Sequence, residues 1–347
     1  MMLEARKTRE QEILDFLAAC RHVTIEHLKI VLAEAPDDHS FFLSRNDRQI
    51  GFVALPVAHV ETPLGVVATA QFLGMSLPPP VFVSLGLADG GRMDFLAAVD
   101  EIEQVCRKAK IAQARFNMAG ATGEAADALQ WQLRKGGYHC VPYEKLILDL
   151  TEGPEHVRRN MSKGHRADIA RWSESLETKF LGRDDADACV GLLRDTFEIT
   201  CPYELRSYDA LVRRGTGEIC LVMQDGAPIG GAFFLLYQQD VEYLLAKRTV
   251  AQNIPVHTIA VWRAVERYSG MGIRQMDLGV VIPGPNLHGS ADMKKAGIAQ
   301  FKRSLGARLA PFAVFERFFD PRFADWIVRQ RTESFLSSQS QGVQDGS

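Results

Sequence analysis

The chain has 347 residues, 46% of them hydrophobic and 24% charged, with a formal net charge of −3. That is too long for one typical core, so two domains are expected, and a slightly acidic chain has no global positive field to draw it to nucleic acid or anionic lipid. The six cysteines contain no CxxC pair and the nine histidines no HExxH, a pattern that points away from a structural metal and toward a reduced, cytoplasmic setting.

In chain order, Met1 to Glu12 alternates charges, and nothing in it or after it approaches the roughly 20 apolar residues of an integral membrane segment. Apolar spacing predicts a helix over Leu14–Leu32, stopping before Pro36. FFLS and IGFVALPV then read as strands joined by the turn Arg45-Asn46-Asp47-Arg48, with VVATAQFLGM and PPVFVSLGL continuing an antiparallel meander. After Gly90-Gly91, Met93–Lys110 places Leu96, Val99, Ile102 and Val105 on one helical face. A strand Ile111–Met118, a helix Ala125–Lys135 and a strand region Tyr138–Leu150 close the first half at Gly153-Pro154.

The second half repeats the order. A helix Ala188–Ile199 precedes the hairpin LVMQDGAPIGGAFFLLY, whose Asp225-Gly226 suits a tight turn, and the strand VEYLLAKRTV. A helix Val256–Tyr268, a strand Ile273–Leu278 and a helix-to-strand unit from Gly297 to Phe319 follow. Three short pieces recur in the same order: Gln49-Ile50-Gly51-Phe52 with Pro228-Ile229-Gly230-Gly231, Ile111-Ala112-Gln113 with Ile273-Arg274-Gln275, and Leu133-Arg134-Lys135-Gly136-Gly137-Tyr138 with Lys302-Arg303-Ser304-Leu305-Gly306-Ala307. Their spacing of about 160 to 180 residues suggests two copies of one supersecondary pattern. The polar, Ser/Gln-rich residues 336–347 read as a disordered tail.

Helix, hairpin meander, helix, strand, helix, strand resembles the element order of the GNAT acetyltransferase fold. The expectation is an α+β protein with a mixed sheet and two tandem GNAT-like acyltransferase domains, residues 1–153 and 154–335.

Between His156 and Arg171 stand five basic residues, Arg158, Arg159, Lys163, Arg166 and Arg171, against Asp168 alone. HVRRNMSKGHRADIARW resembles the arginine-rich segment that opens the second domain of FemABX-type peptidoglycan-bridge aminoacyltransferases. A solvated helix face is the plainer reading of the same charges. Asp277-Leu278-Gly279, a loop, and Gly297-Ile298-Ala299-Gln300-Phe301-Lys302-Arg303-Ser304-Leu305-Gly306 resemble the most recognisable signature of that family. Phe301 and Lys302 are helix neighbours about 100° apart, so Phe301 is expected against the core and Lys302 toward a cleft or water. The resemblance implies that Lys302 stabilises the acyl-transfer transition state, with Phe301 and Asp277 beside it. Asp277, at a strand end, is placed either for ligand contact or to cap its loop. The resemblance also makes Arg206, Tyr243, Arg158, Arg159 and Arg303 candidate substrate-binding residues, Arg206 as a fork for phosphate oxygens. Tyr243 is equally a cross-strand packing residue.

The stretch AKRTVAQNIPVHTIAVW lacks the glycines with which GNAT enzymes approach a coenzyme A pyrophosphate. This favours an aminoacyl-tRNA, bound by its acceptor end, over an acyl-CoA as co-substrate, with no bound cofactor. The family implies an aminoacyl or acyl N-transferase acting on an amine-bearing acceptor such as a nucleotide-sugar peptide precursor of the cell wall. An acyl-CoA-dependent N-acetyltransferase of a sugar or small-molecule amine is the alternative, and a non-catalytic binding module the second. No Gly-x-Ser-x-Gly elbow is present, in keeping with direct transfer without a covalent enzyme intermediate.

Overall fold

The computed structural model describes residues 2–20, 23–83, 90–118, 124–249, 254–281 and 293–342, giving the backbone alone for 2–8, 90–95, 124–126, 293–296 and 338–342. In chain order it contains α1 (Met2–Ala19), α2 (Ile25–Ala33), β1 (Phe41–Arg45), β2 (Arg48–Val53), β3 (Val57–Thr62), β4 (Gly65–Ala70), β5 (Val81–Phe82), α3 (Gly90–Lys108), β6 (Gln113–Asn117), α4 (Glu124–Lys135) and β7 (His139–Asp149). The second half continues with α5 (Pro154–Asn160), α6 (Lys163–Trp172), β8 (Glu177–Leu181), α7 (Ala186–Asp195), α8 (Pro202–Arg213), β9 (Gly217–Gln224), β10 (Ala227–Tyr237), β11 (Asp240–Arg248), α9 (Val256–Gly270), β12 (Gln275–Val281), α10 (Met293–Ser304), β13 (Arg308–Phe318) and α11 (Pro321–Gly342).

The single helix expected over Leu14–Leu32 is two helices. Thr24, in extended conformation, starts α2 afresh: its N–H donates to His27 Nδ1 at 3.1 Å, satisfying a helix-entry group that would otherwise lack a partner. Helix α11 runs to Gly342, so the segment expected as a disordered tail begins as helix; residues 343–347 lie outside the described residues.

The described residues up to Tyr143 and from Phe312 onward form one compact unit, and those from Glu144 to Pro311 form the other. This division differs from the one expected at Gly153-Pro154. The reason lies in two strands. In the first unit β4 pairs parallel with β6, and β6 pairs antiparallel with β13, the last strand of the second half of the sequence. In the second unit β11 pairs parallel with β12, and β12 pairs antiparallel with β7, the last strand of the first half. Each half thus contributes its closing strand to the other's sheet. Gln113 and Gln275, aligned by the sequence repeat, open the equivalent strands β6 and β12.

The sheet of the second unit has the order β7-β12-β11-β10-β9-β8. Its hairpin β9–β10 turns at Asp225 (φ 51°) and Gly226 (φ 77°), the two left-handed residues that match the strands' twist. Helix α9 packs on it with Ile259, Ala260, Val261, Ala264 and Val265 fully buried, around Phe234, Tyr268 and Met276. Each large apolar side chain so buried contributes about 1.5–3 kcal/mol. That rigid layer carries the site.

Candidate functional site

Strands β11 and β12 are hydrogen-bonded neighbours over only three rungs, Asp240↔Gln275, Val241↔Met276 and Glu242↔Asp277. Beyond Glu242 strand β11 continues along β10 to Arg248, while β12 bulges between Asp277 and Val280 and continues along β7. The parallel pair therefore opens just past Asp277, at the carboxyl ends of its strands, where open α/β sheets bind ligands.

Lys302, one residue-turn from the end of α10, reaches into that opening. Its Nζ lies 5.6 Å from the ring centroid of Tyr243, the residue after the last rung of β11, and 3.3 Å from the point a Cβ would occupy on Gly279 of β12. Gly279 has φ +89°, which lets the bulge form and leaves room for the ammonium. Among the described residues the Lys302 ammonium has no ion-pair or hydrogen-bond partner beyond this ring contact. Burial pushes its pKa below that of an ordinary lysine, with the charges of Asp277 and Glu242 opposing.

Of the two roles the sequence left open for Asp277, the structure shows the cap. Its Oδ1 accepts from Gly279 N at 2.7 Å, capping the turn, and its Oδ2 accepts from Lys145 Nζ of β7 at 2.8 Å. Sequence reasoning missed Lys145, because its partner stands 132 residues away and no local pattern marks the pair. Tyr243 is buried, in register with Phe234 at 5.7 Å between centroids, so it packs across strands and also floors the lysine. Burial raises its phenol pKa, keeping it neutral.

Phe301 is half-buried against the core cluster of the unit, as expected for the core-facing member of the pair. It meets the His165 ring edge-on at 5.3 Å. The basic segment and the Phe-Lys helix, far apart in sequence, are fastened together here. Ser162 N donates to Ser304 O at 2.8 Å, and His165 Nε2 lies 2.8 Å from Ser304 Oγ. Because Ser304 Oγ donates to Phe301 O, His165 Nε2 must carry the proton, and His165 Nδ1 accepts from Thr258 Oγ1 of α9 at 3.0 Å. Helices α6, α9 and α10 are thereby tied at one neutral imidazole, whose pKa burial lowers.

The basic residues are less concentrated than the sequence suggested. Arg166 donates to the carbonyls of Arg159 and Met161, closing the end of α5. Arg158 lies 5.9 Å from the Trp262 ring, while Arg159 and Arg303 are exposed. Arg206 is exposed on α8, which packs on α7 and β9. Strand β9 stands three strands from β12, about 14 Å along the sheet, so Arg206 is not brought to Lys302 by its own element. Residues 250–253 of the stretch AKRTVAQNIPVHTIAVW, weighed in the sequence, lie outside the described residues, as do residues 282–292 and the side chains of Lys294 and Lys295. Among the described residues no three potential ligands converge on a metal position, and no helix is long and apolar enough to cross a membrane.

With this geometry established, comparison with solved structures gives the fold. FemX matches over 89% of this chain and 99% of its own, with a TM-score of 0.59 at 12% identity. The C-terminal domain (DUF2156) of an Agrobacterium fabrum protein matches over 92% of this chain and 91% of its own, with a TM-score of 0.55 at 12% identity. L-PGS from Bacillus licheniformis matches over 88% and 91%, with a TM-score of 0.52 at 10% identity. The chain thus has the mixed α/β fold of FemX; at these identities the likeness is one of fold. No protein-family model matches the sequence, and no curated protein does.

Proposed function

We propose that this protein is an acyltransferase that moves an aminoacyl or acyl group from an activated carrier onto an amine acceptor. The observation that carries the reading is the unpaired, half-buried ammonium of Lys302, held over Tyr243 where β11 and β12 part, in a chain with the fold of FemX. The acceptor amine attacks the carbonyl carbon of an ester or thioester. A C–N bond forms, the carbonyl electrons move onto oxygen, and collapse expels the alkoxide or thiolate, which takes up the proton the amine gives up. A fixed cation facing the transient oxyanion stabilises charge present only in the transition state. Phe301 and the imidazole of His165 hold the helix that delivers it, and Asp277 fixes the turn around it.

The carrier in this reading bears phosphate. Helix α9 starts at Pro255 without a side-chain cap or an acidic residue in its first turn, and the buried Nε2 of its second residue, His257, has no partner among the described residues. A helix start of this kind suits phosphate oxygens. Aminoacyl-tRNA remains the first candidate, with exposed Arg159, Lys163 and Arg303 available to its backbone, and acyl-CoA the second. A peptide-bearing nucleotide-sugar precursor is the acceptor that the family resemblance suggests.

The test is incubation with charged tRNAs and with acyl-CoAs in the presence of amine acceptors, reading amide formation by mass spectrometry. A tRNA donor should bind with affinity that falls steeply as salt rises, since each neutralised phosphate releases counterions. Tight, nearly salt-independent binding of an acyl-CoA with product formation selects the second carrier, and amide formation with neither leaves a non-catalytic binding module.

A further inference from the structure

Lys302 has two carboxylates near enough to affect its charge, Asp277 of β12 and Glu242 of β11, and pairs with neither. For Asp277 the geometry supplies the cause. Its two oxygens are already engaged, Oδ1 by Gly279 N at 2.7 Å and Oδ2 by Lys145 Nζ at 2.8 Å. Lys145 itself is anchored, since β7 pairs with β12 through Val280↔Lys145 and Asp277↔Ile147 and its side chain is only 19% exposed. Without Lys145, Oδ2 of Asp277 would be free to turn toward another cation, and the half-buried ammonium of Lys302 is one that its charge already reaches.

We propose that Lys145 is a positioning residue that holds Asp277 away from Lys302 and so keeps the Lys302 ammonium unpaired and open to a reacting oxygen. This rests on the reading of Lys302 given above and deepens it. An ammonium already bonded to a carboxylate gains little from a second anion, because the first has neutralised its field and taken its donors. A half-buried cation with no carboxylate in contact is costly to the fold, which is why such a diversion is informative. Among the described residues the groups facing Lys302 are Asp277, Glu242 and Tyr243, and Lys145 engages Asp277.

The test reads Lys302 itself and needs no substrate. Competitive labelling with acetic anhydride across a pH series, followed by mass spectrometry of the peptide bearing Lys302, gives the midpoint of its titration. In the wild-type chain that midpoint lies below an ordinary lysine's. Lys145→Met frees Asp277 to pair with Lys302 and raises the midpoint by about one pH unit or more, whereas Lys145→Arg, which still engages the carboxylate, leaves it in place. In an Asp277→Asn background Lys145→Met loses most of its effect. Thermal melts confirm folding, and Lys145→Ala repeats the measurement should the methionine variant not fold. An unchanged midpoint in Lys145→Met, or a full shift that persists in the Asp277→Asn background, overturns the proposal. The titration is independent of turnover, so failure of Lys302 as the transition-state cation would show in kinetics while leaving this result intact.

Discussion

The ammonium of Lys302 lies 3.3 Å from the point where a Cβ would stand on Gly279. Gly279→Ala therefore meets two obstacles: a φ of +89° that an alanine rarely adopts, costing about 1–3 kcal/mol, and a methyl group directed at the lysine. The strained backbone lowers the melting temperature, and displacement of the ammonium lowers turnover as well. Thermal denaturation together with steady-state kinetics separates the two. A variant that is less stable yet fully active would show that Lys302 does not need its present place.

A Cβ on Gly306, at φ +88°, would stand 2.9 Å from the carbonyl carbon of Asn160 and 3.0 Å from its oxygen. Backbone cannot yield as a flexible side chain can, so Gly306→Ala should separate the end of α10 from the α5–α6 junction. We expect a loss of roughly 2–4 kcal/mol in a denaturant titration. We also expect faster amide hydrogen exchange at Ser162, whose N–H now bonds Ser304 O.

Stability should fall in mild acid because of His27. This side chain is fully buried; Thr24 N donates to its Nδ1, so its Nε2 carries the proton and donates to Pro79 O at 3.0 Å. Burial lowers its pKa to about 4. With the folded value below the unfolded one, the unfolded chain binds the extra proton first. The stabilisation is complete above about pH 6.5 and is lost as pH falls toward 4, by about 3 kcal/mol. Urea melts at pH 7 and pH 5 measure the slope, and His27→Asn should reduce it. His165 and His257, both lowered by burial, act in the same direction.

The sequence made legible whatever is local or periodic. The hairpin turn at Asp225-Gly226, the helix from Val256 and the Phe301-Lys302 pair on a helix follow from spacing and turn chemistry, and all three stand in the structure. The exchange of β7 and β13 did not show, because a strand's pattern records that one face is buried but not against which neighbour. Lys145 was invisible for the same reason: it is one of many lysines until β7 is laid beside β12. Thr24 and His27 could have been read, since a threonine three residues ahead of a hydrogen-bonding side chain marks a helix start, and the apolar spacing that runs across it hid the break.

In the proposed reaction the Lys302 charge acts in the transition state. The most direct test of this is the turnover of Lys302→Met against the wild-type chain, with whichever donor and acceptor yield amide. Methionine keeps most of the stem and its packing on Tyr243, so the fold is retained while the charge is removed. We expect kcat to fall by about a hundredfold or more, with acceptor KM and melting temperature nearly unchanged. Wild-type turnover in Lys302→Met would contradict it and leave Lys302 as a packing residue of the sheet opening.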